Sequence, residues 1–268
     1  MITRMILTFG LICLLTFSLG ICAYADLVGY WPFDEGSGKV IKDLSGKGND
    51  GQLFNNPKWV DGKDEKALQF SSDRSPGSYA DIPKMGAIGK GSFTAMAWYK
   101  IEAKAMDTSK LILCTGSCCW NEAGFYLCLR PGGGITFEMT DTHNAGGTAV
   151  NFNMNTSDGE WHHIAGVYEF AKKGTLYVDG KKSGDDADMS AYKDGIASDR
   201  PLRIAEYFWQ EADRLNFDGV IDEVAVFDEV LTEKEIVAAM ELESLLPYKA
   251  VNPADNLTAT WGSIKMGR

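Results

Sequence analysis

The sequence predicts an all-β fold, a two-sheet antiparallel sandwich with one short helix near its C-terminal end. Three observations predict it. Short alternating or apolar runs recur between clusters of Gly, Asn and Asp, the pattern of strands joined by tight turns. Strand signals do not alternate with helical ones, which excludes a parallel βαβ sheet and a dinucleotide fold. Only one stretch carries both helix start and helix stop signals.

The chain begins with a segment read as lying outside the fold. Arg4 supplies a short positive region, residues 5–21 are nearly all apolar, and Ala23-Tyr24-Ala25 is an A-x-A cleavage signal. Residues 1–25 are therefore read as a signal peptide, with the mature chain starting at Asp26 and the protein secreted to an extracellular or periplasmic space. An uncleaved anchor over 5–24 has the length to span a bilayer, but the A-x-A and the polar residue after it favour cleavage. Ile21 before Cys22 is too bulky for a lipoprotein site. Removing 25 of the 268 residues leaves 243, enough for one large β domain with a filled core, here placed at 26–247. No second candidate span follows, so no membrane insertion is expected after cleavage.

The strand signals, in order, are LVGYWPF, KALQF, SYADI, SFTAMAWYKI, KLILC, GFYLCL, GITFEM, WHHIAGVYE, TLYVDG, PLRIAEY and VIDEVAVF. Asp179-Gly180 after TLYV is a tight hairpin turn. PGGGI at 131–135 lacks the Lys-Ser/Thr and the following helix of a phosphate cradle, so it too is read as a hairpin turn. Thr232 and Glu235 form a capping box, with Leu231 and Ile236 at the staple positions around it. The helix is placed at 232–246, stopped by Pro247. Residues 248–268 read as a tail whose one large hydrophobe is Trp261.

The formal net charge is −11, and −12 once Arg4 is removed. Such an acidic chain argues against nucleic acid or an anionic membrane as partner and is compatible with divalent cations and neutral sugars. Four cysteines lie in the mature chain, Cys114, Cys118, Cys119 and Cys128. In an exported protein they are expected to form disulfides. Adjacent cysteines rarely bridge each other, so Cys114 and Cys128 are each paired with one of Cys118 and Cys119, without a choice between the two arrangements. Their spacing matches no common zinc site.

Four stretches then carry a family resemblance: GYWPFDEGSGKVIKDLSGKGNDGQL, WHHIAGVYE with LYVDGK, PLRIAE, and FDGVIDEVAVFDEVLTEKEI. Together, in this order, they resemble the laminin-G-like, concanavalin A-like jelly-roll domains of exported bacterial proteins. The resemblance implies two packed antiparallel sheets and a role in binding carbohydrate or protein, or in adhesion. The segment CTGSCCWNEAGFYLC departs from the family pattern.

An enzyme is not expected. A glycosidase needs two carboxylates across the scissile bond, and the spacing of Asp222, Glu223, Asp228 and Glu229 does not fit the E-x-D motifs of concanavalin A-like glucanases. His162 and His163 lie within a strand and His143 in a loop. A structural calcium site is expected instead. By period two, Asp222 shares its face with Val220, Val224 and Val226, where a carboxylate is costly unless paired or metal-bound. The jelly roll implied by the resemblance brings Asp34 or Glu35 beside it. Asp43 and Asn49 in the glycine-rich loop offer further oxygens of the kind calcium takes, or merely make Asx-turns. For a ligand face, Trp120 in the cysteine loop and Tyr207, Phe208 and Trp209 before the last strand are candidates, since sugar rings stack on flat aromatic surfaces. Trp31, Trp98 and Trp161 are assigned to the core. The sequence thus reads as a non-catalytic binding domain for a carbohydrate or an extracellular protein, with a structural or adhesive protein that binds no small ligand as the alternative.

Overall fold

The computed structural model describes residues 27–73, 76–85, 88–102, 108–116, 122–141, 147–208 and 215–241. The proposed leader, residues 242–246 of the expected helix, the whole of the tail, Trp120, Trp209, His143, Cys118 and Cys119 lie outside these residues. The strands are β1 (Leu27–Trp31), β2 (Val40–Ile41), β3 (Gly51–Phe54), β4 (Lys58–Asp61), β5 (Lys66–Phe70), β6 (Tyr79–Ile82), β7 (Phe93–Lys100) and β8 (Lys110–Thr115). They continue as β9 (Gly124–Leu129), β10 (Ile135–Thr140), β11 (Thr148–Phe152), β12 (Trp161–Glu169), β13 (Lys173–Val178), β14 (Lys181–Asp188), β15 (Leu202–Ile204) and β16 (Gly219–Phe227), followed by helix α1 (Glu233–Glu241).

Two antiparallel sheets form. The first has the order β14-β13-β12-β7-β16-β5-β4, with β1 also paired to β16, and the second β11-β10-β9-β8-β15-β6-β3-β2. Between them lie the wholly buried rings of Trp31, Phe70, Tyr99, Phe125, Phe137 and Phe217. The all-β, two-sheet expectation therefore holds. Five strands carry no strand signal in the sequence: the short β3, of four residues, and the four at the sheet edges, β2, β4, β11 and β14. An edge strand has little core to face and is kept short or charged, which blocks pairing with other chains, and β14 reads KKSGDDAD. The turn at Asp179-Gly180 joins β13 to β14 with both residues at positive φ (49° and 73°), as a type I′ hairpin requires.

Helix α1 starts as its sequence indicates. Thr232 Oγ1 accepts from the Glu235 N–H (3.3 Å), and Glu235 Oε2 accepts from the Thr232 N–H (2.8 Å). Leu231 and Ile236 are buried together against Leu27, Tyr30, Met96 and Phe227, so α1 covers part of the outer face of the first sheet. Among the described residues no helix is long and apolar enough to cross a membrane.

Two readings of side-chain direction need correction. The β16 register shifts between Asp222 and Ala225, with Glu223 at φ 52°. This bulge adds one residue. Ile221, Val224 and Val226 face the core, while Asp222 does not share their face. Of the three tryptophans assigned to the core, Trp31 is wholly buried, but Trp98 and Trp161 are half-buried. They stand on the outer face of the first sheet, because their β7 and β12 neighbours Tyr99 and Ile164 are the ones that enter the core.

Candidate binding face and cation site

The glycine-rich loop at the front of the chain organises itself around Asp43, which is 8% exposed. Its Oδ1 accepts from the N–H groups of Tyr30 (3.1 Å) and Ser45 (2.8 Å), and its Oδ2 from Asn49 N–H (2.8 Å). Asn49 in turn donates its side-chain amide to Val28 O (2.8 Å) and accepts from Trp31 Nε1 at its carbonyl (2.9 Å). Asp50 Oδ1 accepts from Asp43 N–H (3.0 Å). The carboxylate thus replaces the backbone partners that a loop beside β1 would otherwise lack. Glu35 holds the loop by accepting from Lys42 N–H (2.6 Å), and its other oxygen is buried without a partner.

Asp34 and Asp222 sit elsewhere, at a seam. One side of β16 pairs with β5 through Gly219–Ile221 and with β1 through Val224–Phe227. Asp222 and Glu223 fall in the gap where the partner changes. The turn at 62–65 fills it: the N–H groups of Lys63 (2.8 Å) and Asp64 (3.3 Å) donate to Asp222 Oδ2, and Glu223 N–H to Oδ1 (2.9 Å). The turn approaches so closely that a Cβ on Gly62 would lie 2.6 Å from Asp222 Oδ2. Tyr30 O–H donates to Glu223 Oε2 (2.6 Å), and Lys66 N–H to Asp34 Oδ1 (3.1 Å).

Both seam acids are pushed up to about 8. Burial is the main cause for each, with the neighbouring Glu223 charge adding at Asp222, and Asp34 and Asp64 adding at Glu223. Two buried carboxylates side by side disfavour each other's ionisation. Among the described residues no cation pairs with either acid. Hard oxygen donors with uncompensated charge suit calcium in kind; here Asp222 and Glu223 supply them, with Asp34 and Asp64 nearby. Among the described residues, however, no three acidic, His or Cys side chains converge as ligands. Asp43 and Asn49 do not join this group: the Asp43 carboxylate and the Asn49 amide hydrogens bind within the loop and to β1.

The outer face of the second sheet carries the other cluster. Successive registers place Gln52, Asp81, Arg203, Cys114, Tyr126, Glu138 and Ala149 directly opposite one another across seven strands. At one end Asp81 holds Arg203 bidentately (2.7 and 2.9 Å), and Glu206 takes a third bond (3.2 Å). The guanidinium lies 4.2 Å from the ring centroids of both Tyr79 and Phe208. At the other end a cleft of about 400 Å³ opens, lined by Tyr126, Arg130, Thr136, Glu138, Asn151 and the apolar Leu215 among others. Burial raises the Glu138 carboxyl, opposed by its hydrogen bond to Tyr126. Asn151 Oδ1 accepts from Thr136 Oγ1 (2.7 Å) and Arg130 Nη1 (3.0 Å), which leaves its amide hydrogens to donate.

Of the aromatic candidates, Tyr207 is 5% exposed and packs with Leu111, Cys114 and Cys128. It supports the face and offers no open ring. Cys114 Sγ donates to Glu206 O (3.4 Å). No disulfide forms among the described residues; the expected partners Cys118 and Cys119 lie outside them. The cleft escaped the sequence reading because Tyr126, Glu138 and Asn151 stand in three different strands and only register unites them.

Residues 73–237 match a laminin-G-type family of the concanavalin A-like lectin/glucanases superfamily. The chain belongs to that family. No curated protein sequence matches it significantly. Among solved structures it is similar to the binding domain of Paraclostridial mosquitocidal protein 1 (TM-score 0.64, 19% identity, 80% of this chain and 51% of that one). It is similar also to the binding domain of botulinum neurotoxin DC, solved with rat synaptotagmin II (0.65, 12%, 82% and 52%). A third is domain 4 of an extracellular arabinanase from Geobacillus stearothermophilus, solved with arabinotriose (0.61, 15%, 81% and 98%). The chain spans about half the length of the two toxin domains. At these identities the likeness is one of fold.

Proposed function

We propose that this protein is a secreted, non-catalytic binding domain that takes a carbohydrate on the outer face of its second sheet. The observation that carries the reading is the cleft, where a phenol, a carboxyl, a hydroxyl, an amide and a guanidinium converge beside Leu111 and Leu215. Neutral sugars need that mixture of donors, acceptors and apolar surface. The arabinotriose-bound arabinanase domain supports a sugar; the synaptotagmin-bound toxin domain supports a protein ligand as the alternative. Among the described residues Glu138 is the one carboxylate lining the cleft, and a binding role needs no second, whereas glycoside hydrolysis needs a pair. Calcium held by Asp222 and Glu223, with backbone carbonyls or water completing its shell, would be structural: it would neutralise the seam between the first and last strands. Secretion rests on residues 1–25.

A glycan array on the mature protein tests the reading. A bound glycan should lose about tenfold or more in affinity with Glu138→Gln or Tyr126→Ala, the usual consequence of losing a hydrogen bond to a charged group. Equal binding by both variants moves the site off this face, and release of reducing sugar revives the enzyme.

A further inference from the structure

The two tryptophans that the bulk of the sheet leaves half-exposed stand in a row with lysines. Direct registers align Trp161, Lys100, Val220, Gln69 and Lys58 across β12, β7, β16, β5 and β4. The row spans roughly 19 Å at the ordinary strand spacing. Two residues along β7, on the same face, is Trp98, with Lys63 Nζ 4.6 Å from its ring centroid. Helix α1 covers the other part of this face, packed on Met96, Ala165 and Ala225.

The lysines here differ from many others in the chain. Lys42, Lys66, Lys172, Lys173 and Lys182 each have a carboxylate within 2.8 Å. Among the described residues, Lys58, Lys63 and Lys100 have none. Nearby Asp61 is engaged by Lys66 (2.6 Å), and Asp222, opposite Trp98, is wholly buried. Lys58, Lys63 and Lys100, without an ion pair among the described residues, give this face of a chain with a net charge of −11 three cations that can meet an anionic partner. At the Lys58–Gln69 end the row meets a polar cleft of about 310 Å³, lined by Asn55, Asn56, Ser71, Ser78, Asp73 and Asp218.

We infer that this outer face of the first sheet is a second binding surface, for an acidic polysaccharide lying across the strands. Trp161 supplies a stacking surface for a sugar ring, the lysines pair with uronate or sulfate groups, and the polar cleft accepts hydroxyls. A lipid surface or an acidic peptide would match the charge but leave the cleft's acceptors unused. The surface is separate from the Glu138 cleft, so the two readings stand or fall apart.

Affinity electrophoresis of the mature protein through gels containing polygalacturonate, dextran or polyglutamate tests it. The expected result is retardation by polygalacturonate alone, abolished in the Lys58, Lys63, Lys100→Gln triple variant, reduced by Trp161→Ala and kept by Glu138→Gln. It should also vanish in 1 M salt, where the screening length falls to about 3 Å. The triple variant should fold and melt within a few degrees of the parent, because these lysines make no ion pair among the described residues and only Lys63 loses a contact, its weak approach to Trp98. No retardation by polygalacturonate overturns the proposal, as does retardation that the triple variant retains. Equal, lysine-dependent retardation by polyglutamate reduces the face to a general anion surface and overturns the polysaccharide.

Discussion

Truncating Asp222 to alanine strands the N–H groups of Lys63, Asp64 and Glu223 against a buried carboxylate, Glu223. Each buried donor left unsatisfied costs roughly 1–3 kcal/mol, which outweighs the relief of the repulsion between Asp222 and Glu223. Asp228 is exposed, so Asp228→Ala should cost roughly 1 kcal/mol or less. Urea denaturation of the two variants decides: midpoints that agree would mean that water can replace the Asp222 carboxylate in the turn. The cysteines allow an equally local check. If Cys114 and Cys128 bridge to Cys118 and Cys119, exported protein alkylated without reduction should carry no label. Labelling of all four would rule the bridges out.

Helix α1 was legible because its signals are local. Thr232, Glu235, Leu231 and Ile236 lie within six residues, and each makes the contact its position implies. Thr232→Ala should therefore cost about 1 kcal/mol, and Ile236→Ala about 2–5 kcal/mol, both read from thermal or urea melts. A smaller loss at Ile236 would show that α1 docks without its staple. Strand β16 was legible as a strand but not in its facing. Its bulge depends on one glutamate at φ 52°, which no residue preference announces, and the extra residue reversed the side assigned to Asp222. The same limit hid the cross-strand rows on both outer faces, since pairing is set by the whole sheet. Pairing between the sheets can be tested at Gly166, where a Cβ would lie 2.6 Å from the Phe137 ring. Gly166→Ala should cost about 1–3 kcal/mol by forcing the sheets apart.

At the scale of the molecule, the seam joins the first strand to the last and both to α1, because the Tyr30 ring packs with Leu231 and Ile236 while its hydroxyl reaches Glu223. Its acids therefore act on the stability of the whole sandwich. Without metal, Asp222 and Glu223 titrate near 8 in the folded protein, against about 4 in an unfolded chain. Between those values the folded state holds protons that the unfolded state has released, so stability falls as pH rises. This contribution is level below about pH 4 and level again above about pH 8. In chelator the melting temperature should drop between pH 5 and pH 8 more than in an Asp222→Asn, Glu223→Gln double variant. Calcium favours the ionised pair, so its effect should be small at pH 5 and large at pH 8. At a hundred times its dissociation constant the gain would be about 2.7 kcal/mol, lost in the double variant. Coincident melting curves in chelator and in millimolar calcium at pH 8 would remove the cation from the seam. The pH slope would then remain as the mark of two carboxyls sharing a buried gap.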